Sequence, residues 1–367
     1  MSDTVYRGAA IGRTGKGNWG HGLHLGLLHH PRVDTVAVAD EDEQERNNKQ
    51  QELAAPRAYA DWQQMLKEEQ PEIVSVGPRW TDCHLEMVLA CLEAGAHVYC
   101  EKPMTWNLAH GDQIVAKAKE TGKKVAVAHQ GVYLPRVQSV QKELAAGRIG
   151  TVQAIYAHGK QDRRGGGEDM IVLGTHLFNM MRLFVGDVAW MSAHIMHEGR
   201  DIAVGDVREA GEPVGPIAGD CVNSYFHFKS GVAGFFDSRK FDEGGGKRMG
   251  MEIVGSEGII LLRGGGSGVA ALYPHTVFDP MDGAQAWEDL NAVADEPLST
   301  GNDLAVADLI AAAEEDREPI SSAADAVAAL EMILGAYEAQ ITGGRVSFPM
   351  QRREHPLVAW REGAHGG

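Results

Sequence analysis

Only four cysteines occur in 367 residues, and none forms a C-x-x-C pair, so neither a disulfide framework nor a cysteine-based zinc site is expected. Cys83, Cys91, Cys100 and Cys221 are expected to be free thiols in a reducing compartment. Long apolar runs are missing as well, and no stretch is expected to span a bilayer. Met1-Ser2-Asp3-Thr4 leads straight into a strand pattern without a basic, apolar leader, which makes the cytoplasm the expected location. Positive charge is scarce: 34 Lys and Arg against 51 Asp and Glu give a formal net charge of −17. That balance excludes a general affinity for nucleic acid or acidic membrane. What is present, 44% hydrophobic and 23% charged residues, is the composition of a globular protein, and the length predicts two domains.

The first segment alternates strand and helix. Val5 to Ile11 reads as a strand that ends in Gly12-Arg13-Thr14-Gly15-Lys16-Gly17-Asn18-Trp19-Gly20-His21-Gly22. Gly15, Gly17 and Gly20 match G-x-G-x-x-G, and Leu23, Leu27 and Leu28 follow at helical spacing. Glycine lets such a turn close tightly and bring backbone N–H groups to a pyrophosphate. The turn begins at Gly12, three residues before the literal motif, so it is longer than usual and which glycine faces which phosphate stays open. The competing reading is a glycine-rich surface turn. Against it, the strand Thr35 to Ala39 ends at Asp40, placed to accept hydrogen bonds from adenosine ribose hydroxyls and to repel a 2′-phosphate, which favours NAD over NADP.

Further alternation follows: a helix over 42–53, a strand over 73–77, a helix over 81–93 closed by Gly95, a strand ending at Cys100, a helix capped by Asn107 and stopped near Gly122, and a strand over 124–128. The pattern predicts an α/β domain over 1–128, a Rossmann-type doubly wound parallel sheet. Ligands bind beyond the carboxyl ends of such strands, and there the chain reads Glu101-Lys102-Pro103. A charged pair ending a buried strand favours function over a surface ion pair.

At these residues the sequence resembles the glucose-fructose oxidoreductase, inositol dehydrogenase and rhizopine catabolism family, Gfo/Idh/MocA. The likeness rests on the glycine turn, Val38-Ala39-Asp40, Pro78 with His84, Glu101-Lys102-Pro103, Gly147-Arg148-Ile149-Gly150 and Gly174-Thr175-His176, in that order. The resemblance implies Lys102 as a catalytic residue beside a nicotinamide, His176 as its partner, and oxidation of a secondary hydroxyl of a sugar, glycoside or cyclitol, or the reverse. Removing hydride from a carbinol requires loss of its hydroxyl proton, which a positioned base assists. Without the resemblance, His176 reads as a core histidine on an apolar helix. The aspartate that the family carries four residues before this histidine falls at Val172, so Glu168 or Asp169 is left to supply a carboxylate. Asp169 reads equally as a helix N-terminal charge and as a catalytic residue. The expected cofactor contacts are Gly12, Gly15, Gly17, Gly20, Asp40, Pro78, Arg79, Trp80, Glu101 and Lys102.

Residues 129–367 lose the alternation. Hairpin-like strand pairs such as 222–228 with 232–237, and 251–254 with 259–262, predict an α+β domain with a large, mostly antiparallel sheet. The resemblance implies that its open face serves a homo-oligomer, a dimer or tetramer. Lys160, Arg163 and Arg164 precede the Gly165 turn. They read either as a substrate site for an anionic sugar or as solvated charge paired with Glu168, Asp169, Asp237 and Asp242. His21 with His24, and His194 with His197, lack a completing carboxylate or cysteine, and no metal is expected. The leading expectation is an NAD-dependent oxidoreductase with a small carbohydrate substrate. Its rivals are an NAD-dependent redox glycoside hydrolase, working by transient C3 oxidation, elimination and re-reduction, and a sensor that binds NAD without turnover.

Overall fold

The computed structural model describes residues 4–241, 249–264, 268–276, 286–290 and 297–363. The chain divides into two compact units, one of Met1–Gln130, Glu212–Val214 and Ser299–Val327, the other of Gly131–Gly211, Gly215–Leu298 and Ala328–Gly367.

In the first unit β1 (Tyr6–Ile11), β2 (Val33–Ala39), β3 (Arg57–Tyr59), β4 (Ile73–Val76), β5 (His97–Cys100) and β6 (Val125–Val127) form a sheet of order β3-β2-β1-β4-β5-β6. Every pairing in it is parallel. The helices between them are α1 (Leu23–His29), α2 (Glu43–Glu52), α3 (Trp62–Glu69), α4 (His84–Glu93) and α5 (Leu108–Thr121). Helices on both faces explain why β4 and β6 are buried at every residue. Local signals set the helix ends: Asn107 Oδ1 accepts from the N–H groups of Ala109 and His110, and Gly122 closes α5 at a φ of 67°.

The sequence reading places the boundary at 128 and misses β3 and α3. It also misses the return of a distant helix, α9 (Thr300–Glu315), to the first unit. The reason is packing. A Cβ on Gly26 of α1 would lie 2.7 Å from Asn302 O, and the Tyr99 hydroxyl of β5 donates to Asn302 Oδ1 at 2.8 Å. Such a pairing across some two hundred positions leaves no periodic trace in either segment.

The second unit begins with α6 (Pro135–Ala145) and β7 (Val152–His158). The stretch expected as one turn and helix is two helices, α7 (Gly167–Val172) and α8 (Gly174–Val185), broken at Leu173. Then come β8 (Val188–His197), β9 (Arg200–Asp201), β10 (Arg208–Glu209), β11 (Pro216–Ile217), β12 (Cys221–Phe228), β13 (Ala233–Arg239), β14 (Gly250–Gly255), β15 (Ile259–Arg263), β16 (Ala270–Tyr273), β17 (Glu288–Asp289) and, past α10 (Ala323–Thr342), β18 (Val346–Ser347). Among the described residues the large sheet runs β17-β16-β15-β14-β7-β13-β12-β8-β18, with β9 beside β8. Only β7 with β13 is parallel in this order, so the sheet is mostly antiparallel, as expected. The strict alternation of burial along β12 and β13 buries Phe226 and Phe236 against Phe178 of α8 and leaves the other face open. No helix among the described residues is long and apolar enough to cross a membrane.

Candidate active site

In the first unit the strand order reverses between β1 and β4, and the crevice of a doubly wound sheet lies beyond the carboxyl ends of such strands. The glycine turn fills that position. Gly12, Gly17 and Gly20 are fixed by close packing: an added Cβ would meet the Trp19 ring at 2.1 Å, Arg79 N at 2.5 Å and Gly77 O at 2.2 Å, respectively. Gly15 differs. It has a φ of 77° but nothing within 4 Å of a Cβ, so it serves the bend of an excursion rather than a close approach. The tight triplet is therefore Gly12, Gly17 and Gly20, with the excursion between the first two. The Arg79 N–H donates to Gly17 O at 3.1 Å, joining the turn to the Pro78-Arg79-Trp80 loop.

Asp40, at the end of β2, is 2% exposed. Its carboxylate accepts from the Thr14 N–H at 3.2 Å, from the Thr14 hydroxyl at 2.8 Å and from the Asp42 N–H at 3.0 Å. Sequence reasoning assigned its acceptors to a ribose and passed over Thr14, because a contact between a loop and a strand end 26 residues apart has no sequence signature. Beside Asp40, a small cleft is lined by Gly12, Arg13, Ala39, Glu41, Ala60, Trp62 and Met87. The first N–H groups of α1 have no side-chain cap, and the buried Trp19 Nε1 just before them has no hydrogen-bond partner. A cleft with a carboxylate, an arginine and an indole at the end of β2 fits the adenosine end of a dinucleotide.

Beyond β5 lies Glu101, fully buried. Its Oε1 accepts from the Lys102 N–H at 2.9 Å, and its Oε2 accepts from the His21 N–H at 2.9 Å with His21 Nδ1 at 3.0 Å. Burial alone would push this carboxyl up. The hydrogen bonds and charge of His21, with the charge of Lys102, outweigh burial and hold it below the ordinary glutamate value. The histidine considered above only as a metal ligand is thus the partner of this carboxylate. Lys102 is 4% exposed and precedes a cis peptide bond to Pro103. The buried His84 ties the neighbouring loops, with Nε2 2.7 Å from Pro78 O and Nδ1 3.0 Å from Met104 O.

In the second unit His176 lies in the first turn of α8, 8% exposed. Asp169, read from the sequence equally as a helix N-terminal charge and as a catalytic residue, sits in the first turn of α7. It is fully buried, and its Oδ2 accepts from the Ser238 hydroxyl at 2.5 Å and the Gln161 N–H at 3.1 Å. Burial pushes its carboxyl up, against those hydrogen bonds. Two of the basic trio, Lys160 and Arg164, pair with a carboxylate of their own segment. Asp162, not weighed in the sequence, takes the Arg164 guanidinium at 2.7 and 3.2 Å and Lys160 Nζ at 3.5 Å. The hydrogen bond from Arg164 holds Asp162 well below the usual carboxylate range. Arg163 is exposed and pairs with none of the described residues. Asp242 lies outside the described residues. No cluster of His, Cys, Asp and Glu suited to a metal occurs among the described residues.

Residues 10–129 match the family model described as oxidoreductase family, NAD-binding Rossmann fold, and residues 142–348 match its C-terminal alpha/beta domain. Myo-inositol 2-dehydrogenase of Thermotoga maritima is 24% identical over 250 residues, 64% of this chain and 71% of that protein. Bovine trans-1,2-dihydrobenzene-1,2-diol dehydrogenase is 27% identical over 171 residues, 44% of this chain, and the match spans about half of its length, 51%. Among solved structures, levoglucosan dehydrogenase with NADH and L-sorbose superimposes with a TM-score of 0.77 at 17% identity, covering 95% of this chain and all of the other. An oxidoreductase domain protein from Kribbella flavida gives 0.76 at 20% identity, over 95% of this chain and 100% of that one. At these identities the structural likeness shows the fold. The first unit is an NAD-binding Rossmann domain, and the chain belongs to the Gfo/Idh/MocA oxidoreductase family.

Proposed function

We propose that this protein is a cytoplasmic NAD-dependent dehydrogenase acting on a ring hydroxyl of a sugar, glycoside or cyclitol. The observation that carries the reading is Lys102: a lysine 4% exposed at the carboxyl edge of a parallel sheet, next to a carboxylate bonded to the glycine turn. Burying an ammonium is costly, and a side chain kept there suits proton transfer more than solubility. Bound NAD supplies the hydride acceptor. Lys102 then takes the substrate's hydroxyl proton as hydride leaves the carbinol carbon, or returns it in the reverse direction. His176 is read as a second proton-handling residue, and Asp169 as the anchor that holds the bend at Gln161. The sugar and cyclitol dehydrogenases among the relatives support the substrate class.

The test is one assay on the purified chain with NAD and a panel of cyclitols and of neutral and anionic chromogenic glycosides, following NADH absorbance and aglycone release together. NADH accumulating without aglycone is expected. Aglycone released over many turnovers with no net NADH would replace this reading with redox-neutral hydrolysis.

A homo-oligomer belongs to the same proposal. On the open sheet face Tyr156 stacks on Phe235 at 4.7 Å, Tyr225 meets Phe235 edge-on at 5.3 Å, and Trp190 lies 5.3 Å from Tyr225 with Arg345 over its ring at 4.0 Å. Tyr156 is 37% exposed. A continuous aromatic strip across four strands is the composition of an interface core. Tyr156→Asp is expected to shift the chain towards monomer in light scattering at micromolar concentration; an unchanged mass would remove this face from the interface.

A further inference from the structure

We propose that Thr14 sets how the first unit takes the adenosine end of NAD: it fills the acceptors of Asp40 in the free chain and yields them to the ribose hydroxyls. The inference rests on the reading of the Asp40 cleft as a nucleotide site. A carboxylate offers about four lone-pair positions. At Asp40, Oδ1 receives the N–H groups of Thr14 and Asp42, and Oδ2 receives the N–H and hydroxyl of Thr14. With the side chain 2% exposed, a ribose diol that reaches these oxygens must displace a donor.

The Asp42 N–H is poorly suited to leave, because Asp42 is itself the N-cap of α2, accepting from Glu45 N at 2.8 Å. Thr14 is differently placed. It belongs to an excursion closed at its base by paired backbone bonds between Arg13 and Asn18, of 3.1 and 2.9 Å, and by the Gly15 N–H on Asn18 Oδ1 at 2.8 Å. The tip thus keeps its own hydrogen bonds when it swings, and Gly15 meets nothing on its outer side. Gly17 is held at the base by the Arg79 N–H at 3.1 Å, and the tip's remaining ties are Arg13 with Asp82 at 2.8 Å and Lys16 with Glu41 at 3.7 Å. Both of these ion pairs involve well-exposed carboxylates, and such pairs hold little. The Thr14 hydroxyl, 2.8 Å from Oδ2, is therefore the main side-chain hold of the tip on Asp40, and it is the same kind of donor that the ribose would bring.

The test is a calorimetric titration of the full chain with NAD, and in parallel with nicotinamide mononucleotide, which lacks the adenosine. Thr14→Val is expected to lower the Kd for NAD roughly tenfold, the effect of removing one competing hydrogen bond to a charged acceptor. Thr14→Ser should keep the wild-type Kd, and the mononucleotide should not distinguish the three proteins. In the wild type, amide exchange of the peptide holding Thr14 should speed up on saturation with NAD. An unchanged or higher Kd for Thr14→Val, or slower exchange at Thr14, would overturn the proposal while leaving the NAD site in place. If none of the proteins binds NAD, the cofactor reading falls, and this proposal with it.

Discussion

Lys102→Met is expected to lower kcat by roughly 10²- to 10⁴-fold, the usual contribution of a positioned proton-transfer group, while the Kd for NAD stays close to that of the wild type. Methionine keeps the length and apolar body of the side chain, so the change isolates the amine. Lys102→Arg adds a second discrimination. A guanidinium keeps the positive charge but does not give up its proton at any working pH, so a proton-transfer role makes this variant as inactive as the methionine one. If Lys102→Arg retained most of the activity, Lys102 would act as a fixed charge, and the base would have to be sought elsewhere. Full activity in Lys102→Met would sink the assignment altogether. No turnover by the wild type, together with an unchanged biological effect in Lys102→Ala, would favour a sensor.

Elements whose signals are local were legible in the sequence. The buried strands β1, β4 and β5, the Asn107 cap, the Gly122 stop and the hairpins of the second unit each follow from a few adjacent residues. β3 escaped because three residues carry no period, and α9 because its place beside α1 is set by packing with Gly26 and Tyr99. At the site the same division holds. Lys102 and Asp40 stand at strand ends, where topology alone points to function. Their partners do not: Thr14 reaches Asp40 across 26 residues and His21 reaches Glu101 across 80. Lys160 and Arg164 stand out because their charge is rare in an acidic chain, yet Asp162 between them pairs with both. Sequence shows which groups are present; only the folded chain shows which of them are already spent on each other.

Glu101 is where that difference has the largest effect on stability. Glu101→Gln should destabilise the first unit by about 3 kcal/mol, the order found when one member of a buried charge set is removed. A glutamine cannot accept on both sides: whichever way the amide turns, one N–H donor, of Lys102 or His21, faces an NH₂ group. The acid limb gives an independent check. Because the folded carboxyl lies below its ordinary value, its contribution is fully present above the unfolded pKa and is lost as pH falls through the folded one. Wild-type stability should therefore drop through that acid window, and the drop should be shallower in Glu101→Gln. His21→Ala should cost less, since that ring is 42% exposed and exchanges its contact partly for water. Urea denaturation of the three proteins at neutral pH and near pH 4, followed through the transition of the first unit, measures all of this. Equal midpoints for wild type and Glu101→Gln would mean that the buried carboxylate does not hold the glycine turn to the strand that carries Lys102. The lysine's position would then rest on the His84 bridge between Pro78 and Met104.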